Sequence, residues 1–175
     1  MDSEFTIRNA VIEDALAIAK VNYLTWLHAY RGIVPDSEFD SLDLESLTDQ
    51  WKQNLSIADS RSGTFVVMKG ATLIAYSRFY PSVDPDDDQA RVATIGSMYV
   101  DPAFQRRGVG RRLMQAVLEA AKDSGYKETT LHVLTANQRA QEFYETLGWE
   151  KDLDADIAGS ANETVPKVRF RKNPL

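Results

Sequence analysis

The strongest chemical signal in this chain is a run of six residues, Gln105-Arg106-Arg107-Gly108-Val109-Gly110, followed at once by Arg111 and Arg112. Arg91 to Val100, before the run, reads as a strand. After it, Leu113, Met114, Val117, Leu118 and Ala121 recur at helical spacing. The run therefore opens a helix. A helix start leaves backbone N–H groups unpaired and carries partial positive charge, and glycine lets the main chain close on a ligand. Phosphate suits such a turn, and guanidinium forks match its geometry. A strand-to-helix turn also needs glycine for its own sake, so the loop alone leaves both readings open. Two nucleotide loops are excluded by spacing. Arg111 and Arg112 stand where a P-loop needs Lys and then Ser or Thr, and Leu113 stands where the dinucleotide fingerprint needs its third glycine.

Other reactive residue types are sparse. Cysteine is absent, which removes thiolate nucleophiles, disulfides and Cys-based zinc sites. The two histidines, His28 and His132, lack the spacing of a zinc pair, and no Gly-x-Ser-x-Gly elbow occurs. Asp84, Asp86 and Asp88 begin like a calcium loop, but Gln89 takes the glycine position and Ile95 the bidentate glutamate position. That segment reads as a solvated acidic loop, and no metal is expected.

The elements that must hold these residues follow from periodicity. Phe5 to Arg8 is a short strand. A helix with Leu16, Ala19, Tyr23, Trp26, Leu27 and Tyr30 on its apolar face is stopped by Gly32 and Pro35. A second helix covers roughly 44–55. Thr64 to Met68 and Leu73 to Tyr80 form a hairpin around Gly70, and Arg91 to Val100 follows with Gly96 marking a bulge. After the Arg-rich helix, which ends at Gly125, come a strand at Thr129 to Leu134, a helix capped by Asn137 and ended by Gly148, and two strands near 149–153 and 165–171. The order β-α-α-β-β-β-α-β-α-β-β predicts an α+β fold with a mixed, mostly antiparallel sheet flanked by helices. Without a linker or repeat, residues 1–175 read as a single domain.

Bulk composition agrees with a globular protein: 43% hydrophobic and 26% charged residues, with a net charge of −6. The charge argues against nucleic-acid binding through a broad surface, although local acidic patches would attract a cationic substrate. No apolar run is long enough to cross a bilayer, and no apolar signal segment follows the acidic N-terminus. A soluble, cytoplasmic protein is expected, with no membrane or nucleic-acid partner; a homodimer stays open.

Two blocks resemble the GNAT acetyltransferases. Val100-Asp101-Pro102, Gln105 to Gly110 and Leu113 look like that family's cofactor loop, Gln/Arg-x-x-Gly-x-Gly/Ala after a strand. Asn137, Ala140, Phe143-Tyr144 and Gly148-Trp149 resemble the segment after its fifth strand. Trp26, Tyr30, Arg31 and Gly32 match the family's N-terminal part more loosely.

The resemblance implies acetyl transfer from acetyl-CoA to an amine of a small molecule or peptide. It implies the pyrophosphate on the amides of 106–110, with Gln105 and Arg111 beside it, and pantetheine paired with the backbone near Met98 and Val100. It implies Tyr144 as the acid that protonates the leaving thiolate, and Asn137 as a pantetheine contact. The acceptor would lie near Trp26, Tyr30, Asp152, Asp154, Asp156 and Glu163. For the general base, Thr94 stands where several members have Glu and cannot take a proton; His132 and a water relay stay open. A non-catalytic acyl-CoA sensor of the same fold is the alternative.

Overall fold

The computed structural model describes residues 5–32, 34–36, 39, 42–57, 59–153 and 166–175. Its strands are β1 (Thr6–Asn9), β2 (Gly63–Lys69), β3 (Thr72–Pro81), β4 (Val92–Val100), β5 (Glu128–Leu134), β6 (Glu150–Asp152) and β7 (Lys167–Lys172). They form one sheet in the order β1-β2-β3-β4-β5-β7-β6. Every neighbouring pair is antiparallel except β4 with β5, which are parallel. The helices are α1 (Ala15–Tyr30), α2 (Leu44–Ser56), α3 (Val109–Asp123) and α4 (Gln138–Thr146). The expected mixed, mostly antiparallel α+β architecture is the one observed.

Each face of the sheet carries a core. Leu113, Met114, Val117 and Ala121 of α3 pack on Val67, Ala75, Phe79, Ala93 and Ile95. Ile18 and Val21 of α1 and Trp51 of α2 pack on Val66, Leu73 and Tyr76 on the other face. Each large apolar side chain buried this way stabilises the fold by roughly 1.5–3 kcal/mol.

Two sequence expectations need correction. The buried side of α1 is Ala15, Ile18, Ala19, Val21 and Thr25, whereas Leu16 is exposed. The helix is apolar nearly all round, so its periodicity had no unique phase. The acidic segment after β3 is solvated only in part: Asp86 and Asp88 are exposed. Asp84 is buried, and its carboxylate meets Arg169 of β7 at 3.1 Å, across 85 residues of sequence. Arg169 also binds Asp86 (2.6 Å) and Asp152 of β6 (2.8 Å), and Arg171 binds Asp87 (2.6 Å), Asp152 (2.9 Å) and Glu128 (3.1 Å). Local composition shows the acids but not the distant arginines that neutralise them.

One feature of the sheet prepares a site. β4 and β5 pair only at Val92–Thr94 with Glu128–Thr130, although both run on past these rungs. The Thr94 and Thr130 hydroxyls, 3.1 Å apart, sit on the last paired rung. Beyond it the strands part. Gly96 is the bulge residue on β4: Phe79 pairs with Ile95 and Arg78 with Ser97, leaving Gly96 unmatched. A Cβ there would run into the Tyr80 ring, which would have to move to admit one.

Candidate active site

The Arg-rich loop closes onto the start of α3. Arg106 (φ 63) and Gly108 (φ 79) both take left-handed backbone conformations, a strained choice for arginine. No side chain caps the helix, and its first hydrogen bond runs from Arg112 N–H to Gly108 C=O (3.1 Å). The amides of Val109, Gly110 and Arg111 therefore lack a partner within α3. Such a group of amides accepts an anion. Gln105 secures the turn: its amide nitrogen donates to the Val100 carbonyl (3.1 Å), and its oxygen accepts from Arg139 of α4 (2.9 Å).

The edge of β4 is the second component. Asp101 N–H bonds the Ile74 carbonyl (2.8 Å), continuing the pairing of β4 with β3. Backbone groups alternate sides along a strand. This phase turns the N–H and C=O groups of Met98 and Val100 away from β3 and toward the gap before β5. Their side chains join the core under α3, and that of Tyr99, between them, joins the core of α1 and α2.

The gap opens into a cavity of about 680 Å³. It runs from Gly108, Gly110 and Arg111 past Met98 and Val100 to Leu131–Val133 of β5 and Tyr144 of α4. Tyr144 packs edge-on against Phe143 (centroids 5.3 Å apart) and Trp149 (6.1 Å). Burial, with a smaller contribution from the neighbouring Tyr30 hydroxyl, pushes the Tyr144 phenol above its ordinary range. Its hydroxyl thus stays protonated across the physiological range. Burial also raises Tyr30, opposed by hydrogen bonds to Asn137 and Tyr99. The Asn137 side-chain oxygen Oδ1 caps α4 by accepting from Ala140 N–H (3.1 Å).

The structure brings most of the sequence-selected residues together. Tyr144, Met98, Val100, Gln105, Arg106, Gly108, Gly110, Arg111, Asn137 and Tyr30 all border the cavity. Three stand apart from it. Arg107 leans over Phe104, 5.6 Å from the ring centroid. Val109 buries its side chain in the core and offers only its amide. Trp26 packs against Tyr30 (4.8 Å) and Phe39 (6.1 Å) behind the cavity wall. Asp152 is occupied by the two arginines, and Asp154, Asp156 and Glu163 lie outside the described residues.

Sequence reasoning missed Tyr99 and His28, which also line the cavity. For Tyr99 a signal existed, since strand alternation must turn it opposite to Met98 and Val100. His28 gave none. Among the described residues no cluster of His, Cys, Asp or Glu could hold a metal ion, and no helix is long and apolar enough to cross a membrane.

Comparison with known proteins agrees with this geometry. The acetyltransferase (GNAT) family model matches residues 23–149. The uncharacterized N-acetyltransferase YuaI of Bacillus subtilis is 26% identical over 133 residues, 75% of this chain and 73% of that protein. The crystal structure of PaiA N-acetyltransferase from Thermoplasma acidophilum in complex with coenzyme A superimposes with a TM-score of 0.73 at 21% identity, covering 99% of each chain. YncA from Salmonella typhimurium, solved with its cofactor acetyl-CoA, gives 0.71 at 19% identity over 98% of this chain and 94% of that one. At such identities the structural likeness speaks for the fold. The family match extends from the middle of α1 through the Arg-rich loop and the parted strands to Trp149, and on it the chain belongs to the GNAT family of acetyltransferases and is an acyltransferase.

Proposed function

We propose that this protein transfers an acetyl group from acetyl-CoA to the primary amine of a small molecule or peptide, by direct attack of the amine on the thioester. The observation that carries this reading is the single cavity joining the amides at the start of α3, the open backbone edge at Met98 and Val100, and the Tyr144 hydroxyl. An extended donor with a pyrophosphate in its middle matches that sequence of features. The amides of Val109, Gly110 and Arg111 would hold the pyrophosphate, with Arg106 and Arg111 supplying charge. The backbone of Met98 and Val100 would pair with the pantetheine amides. An N–H near Met98 would stabilise the oxyanion formed as the carbonyl is attacked.

Tyr144 completes the chemistry at sulfur. Attack forms the C–N bond, collapse breaks the C–S bond, and the sulfur leaves with the Tyr144 proton. The phenolate recovers a proton from the acylated nitrogen, so Tyr144 ends as it began. The reference values for a phenol, near 10, and a thiol, near 8.5, make the donation uphill by itself. The returned proton keeps the exchange balanced.

The test is acetyl-CoA turnover, read as free thiol with mass spectrometry of the product, across amines, polyamines, amino acids and N-terminal peptides. An acetylated amine is the expected result. Tight CoA binding with no turnover on any acceptor would mark a sensor instead.

A second expectation concerns Gly110, where an added Cβ would lie 3.3 Å from Phe143 and 3.6 Å from Met98. Gly110→Leu would fill this part of the cavity. CoA affinity should fall about a hundredfold, or ~2.7 kcal/mol, measured by calorimetry.

A further inference from the structure

We infer that His132 is the base that takes the proton from the incoming ammonium, and that Asp84 and Arg169 position it; this rests on the acetyl-transfer reading above. The first support is placement. Thr94 and Thr130 meet side chain to side chain on the last paired rung. His132, two residues along β5, projects on that same face just beyond the point where the strands part, and it borders the cavity. Thr94 and Thr130 offer hydroxyls there, which are poor bases.

The second support is the chain of partners behind the ring. His132 Nε2 lies 2.8 Å from Asp84 Oδ2, and Arg169 donates to the same oxygen at 3.1 Å. A carboxylate only accepts, so Nε2 carries the ring hydrogen and Nδ1 holds the lone pair. Side-chain exposure is 1% for Arg169 and 0% for Asp84, but 20% for His132. Two buried groups thus hold a ring that itself borders the cavity. The other titratable groups around the same cavity, among the described residues, are His28 and Tyr30 of α1, Tyr99 of β4 and Tyr144 of α4, with Arg106, Arg111 and Arg139. Asp86, Asp87 and Asp152 bear on His132 through Arg169.

The step balances. Nδ1 takes one proton from R–NH3⁺, the freed nitrogen pair attacks the thioester carbon, and His132 later gives that proton to solvent. The second nitrogen proton and the sulfur are served by Tyr144. Asp84 and Arg169 touch no reacting atom.

The experiment is kcat/KM against pH for the wild type, His132→Gln and Asp84→Asn, using an amine that the panel shows to be acetylated, with acetyl-CoA affinity measured alongside. His132→Gln should lower kcat/KM about a hundredfold at neutral pH and remove the single-proton acidic limb. Its acetyl-CoA affinity should stay within about twofold, and free imidazole should restore part of the rate. Asp84→Asn should move the limb without abolishing it. Nitrogen-15 NMR of the wild type should place the ring hydrogen on Nε2, and this decides the matter if His132→Gln does not fold. A wild-type rate and pH profile in His132→Gln, or a hydrogen on Nδ1, would overturn the role of His132 while leaving acetyl transfer standing. A wild type that acetylates nothing on the panel would overturn both.

Discussion

Replacing Tyr144 by Phe should lower kcat by roughly a hundredfold, the range expected for loss of one positioned general acid, while leaving the Kd for CoA within about twofold. The asymmetry follows from where the hydroxyl sits. The ring is held by Phe143, Trp149 and Phe170 at centroid separations of 5.3, 6.1 and 6.2 Å, so Phe keeps the packing and loses only the proton donor. Tyr144 borders the cavity with its phenol close to that of Tyr30, whereas the binding energy of the pyrophosphate would fall on the amides at the start of α3. Because burial raises the phenol above its ordinary value, the wild-type rate should show no alkaline limb from Tyr144 below about pH 10. Steady-state kinetics and calorimetry on the variant separate the two effects. Unchanged kcat would remove Tyr144 from the acid role, and a parallel loss of CoA affinity would make it a structural residue.

Arg169→Met should be the most destabilising single change outside the apolar core, costing about 3–5 kcal/mol, as for buried ion pairs that lose one partner. Arg169 is almost fully buried and draws Asp84, Asp86, Asp87 and Asp152 together. Methionine would fill much of its volume and leave four carboxyl groups facing one another. The pH dependence gives the sign. Burial pushes Asp152 upward, but hydrogen bonds from Arg171 and Arg169 outweigh it, so its pKa ends below the usual value. Its stabilising contribution is therefore present above the unfolded value, near 3.9, and is lost as pH falls through the lower folded value. Burial opposes the charge on Arg169, yet its bonds to Asp86, Asp152 and Asp84 raise its pKa, so its contribution persists into strongly alkaline solution. Urea midpoints should differ most near neutrality, and the gap between wild type and Arg169→Met should narrow below about pH 4. A pH-independent gap would mean that packing, not charge, is what Arg169 supplies.

These two residues also mark what was legible in the sequence. Tyr144 stood in a block with Asn137 before it and Gly148-Trp149 after it, and the resemblance of that block to the GNAT family implied its place. Arg169 stood in no motif. Its partners come from the segment after β3 and from β6, and no periodicity connects residue 169 with residue 84. The same holds for His132, readable as a residue of a strand but not as one that Asp84 supports from 48 residues away. Strands and helices from β2 onward could be read because Gly70, Gly125 and Gly148 punctuate them, each with positive φ where the chain must turn. The phase of α1 could not, because apolar residues surround it. The parting of β4 and β5 was implied by the family resemblance, and in the residues themselves had only the indirect sign of Gly96. Whether two strands stay paired depends on what lies between them, which a single strand's pattern does not encode.

The most direct test of the donor site is amide hydrogen exchange on addition of acetyl-CoA. The expected result is slowed exchange at Met98 and Val100 on the open edge of β4 and at Val109, Gly110 and Arg111 at the start of α3, with β2 unchanged. Binding that leaves those five amides unprotected, or that protects another face of the sheet, would contradict the placement of the donor on this edge and loop.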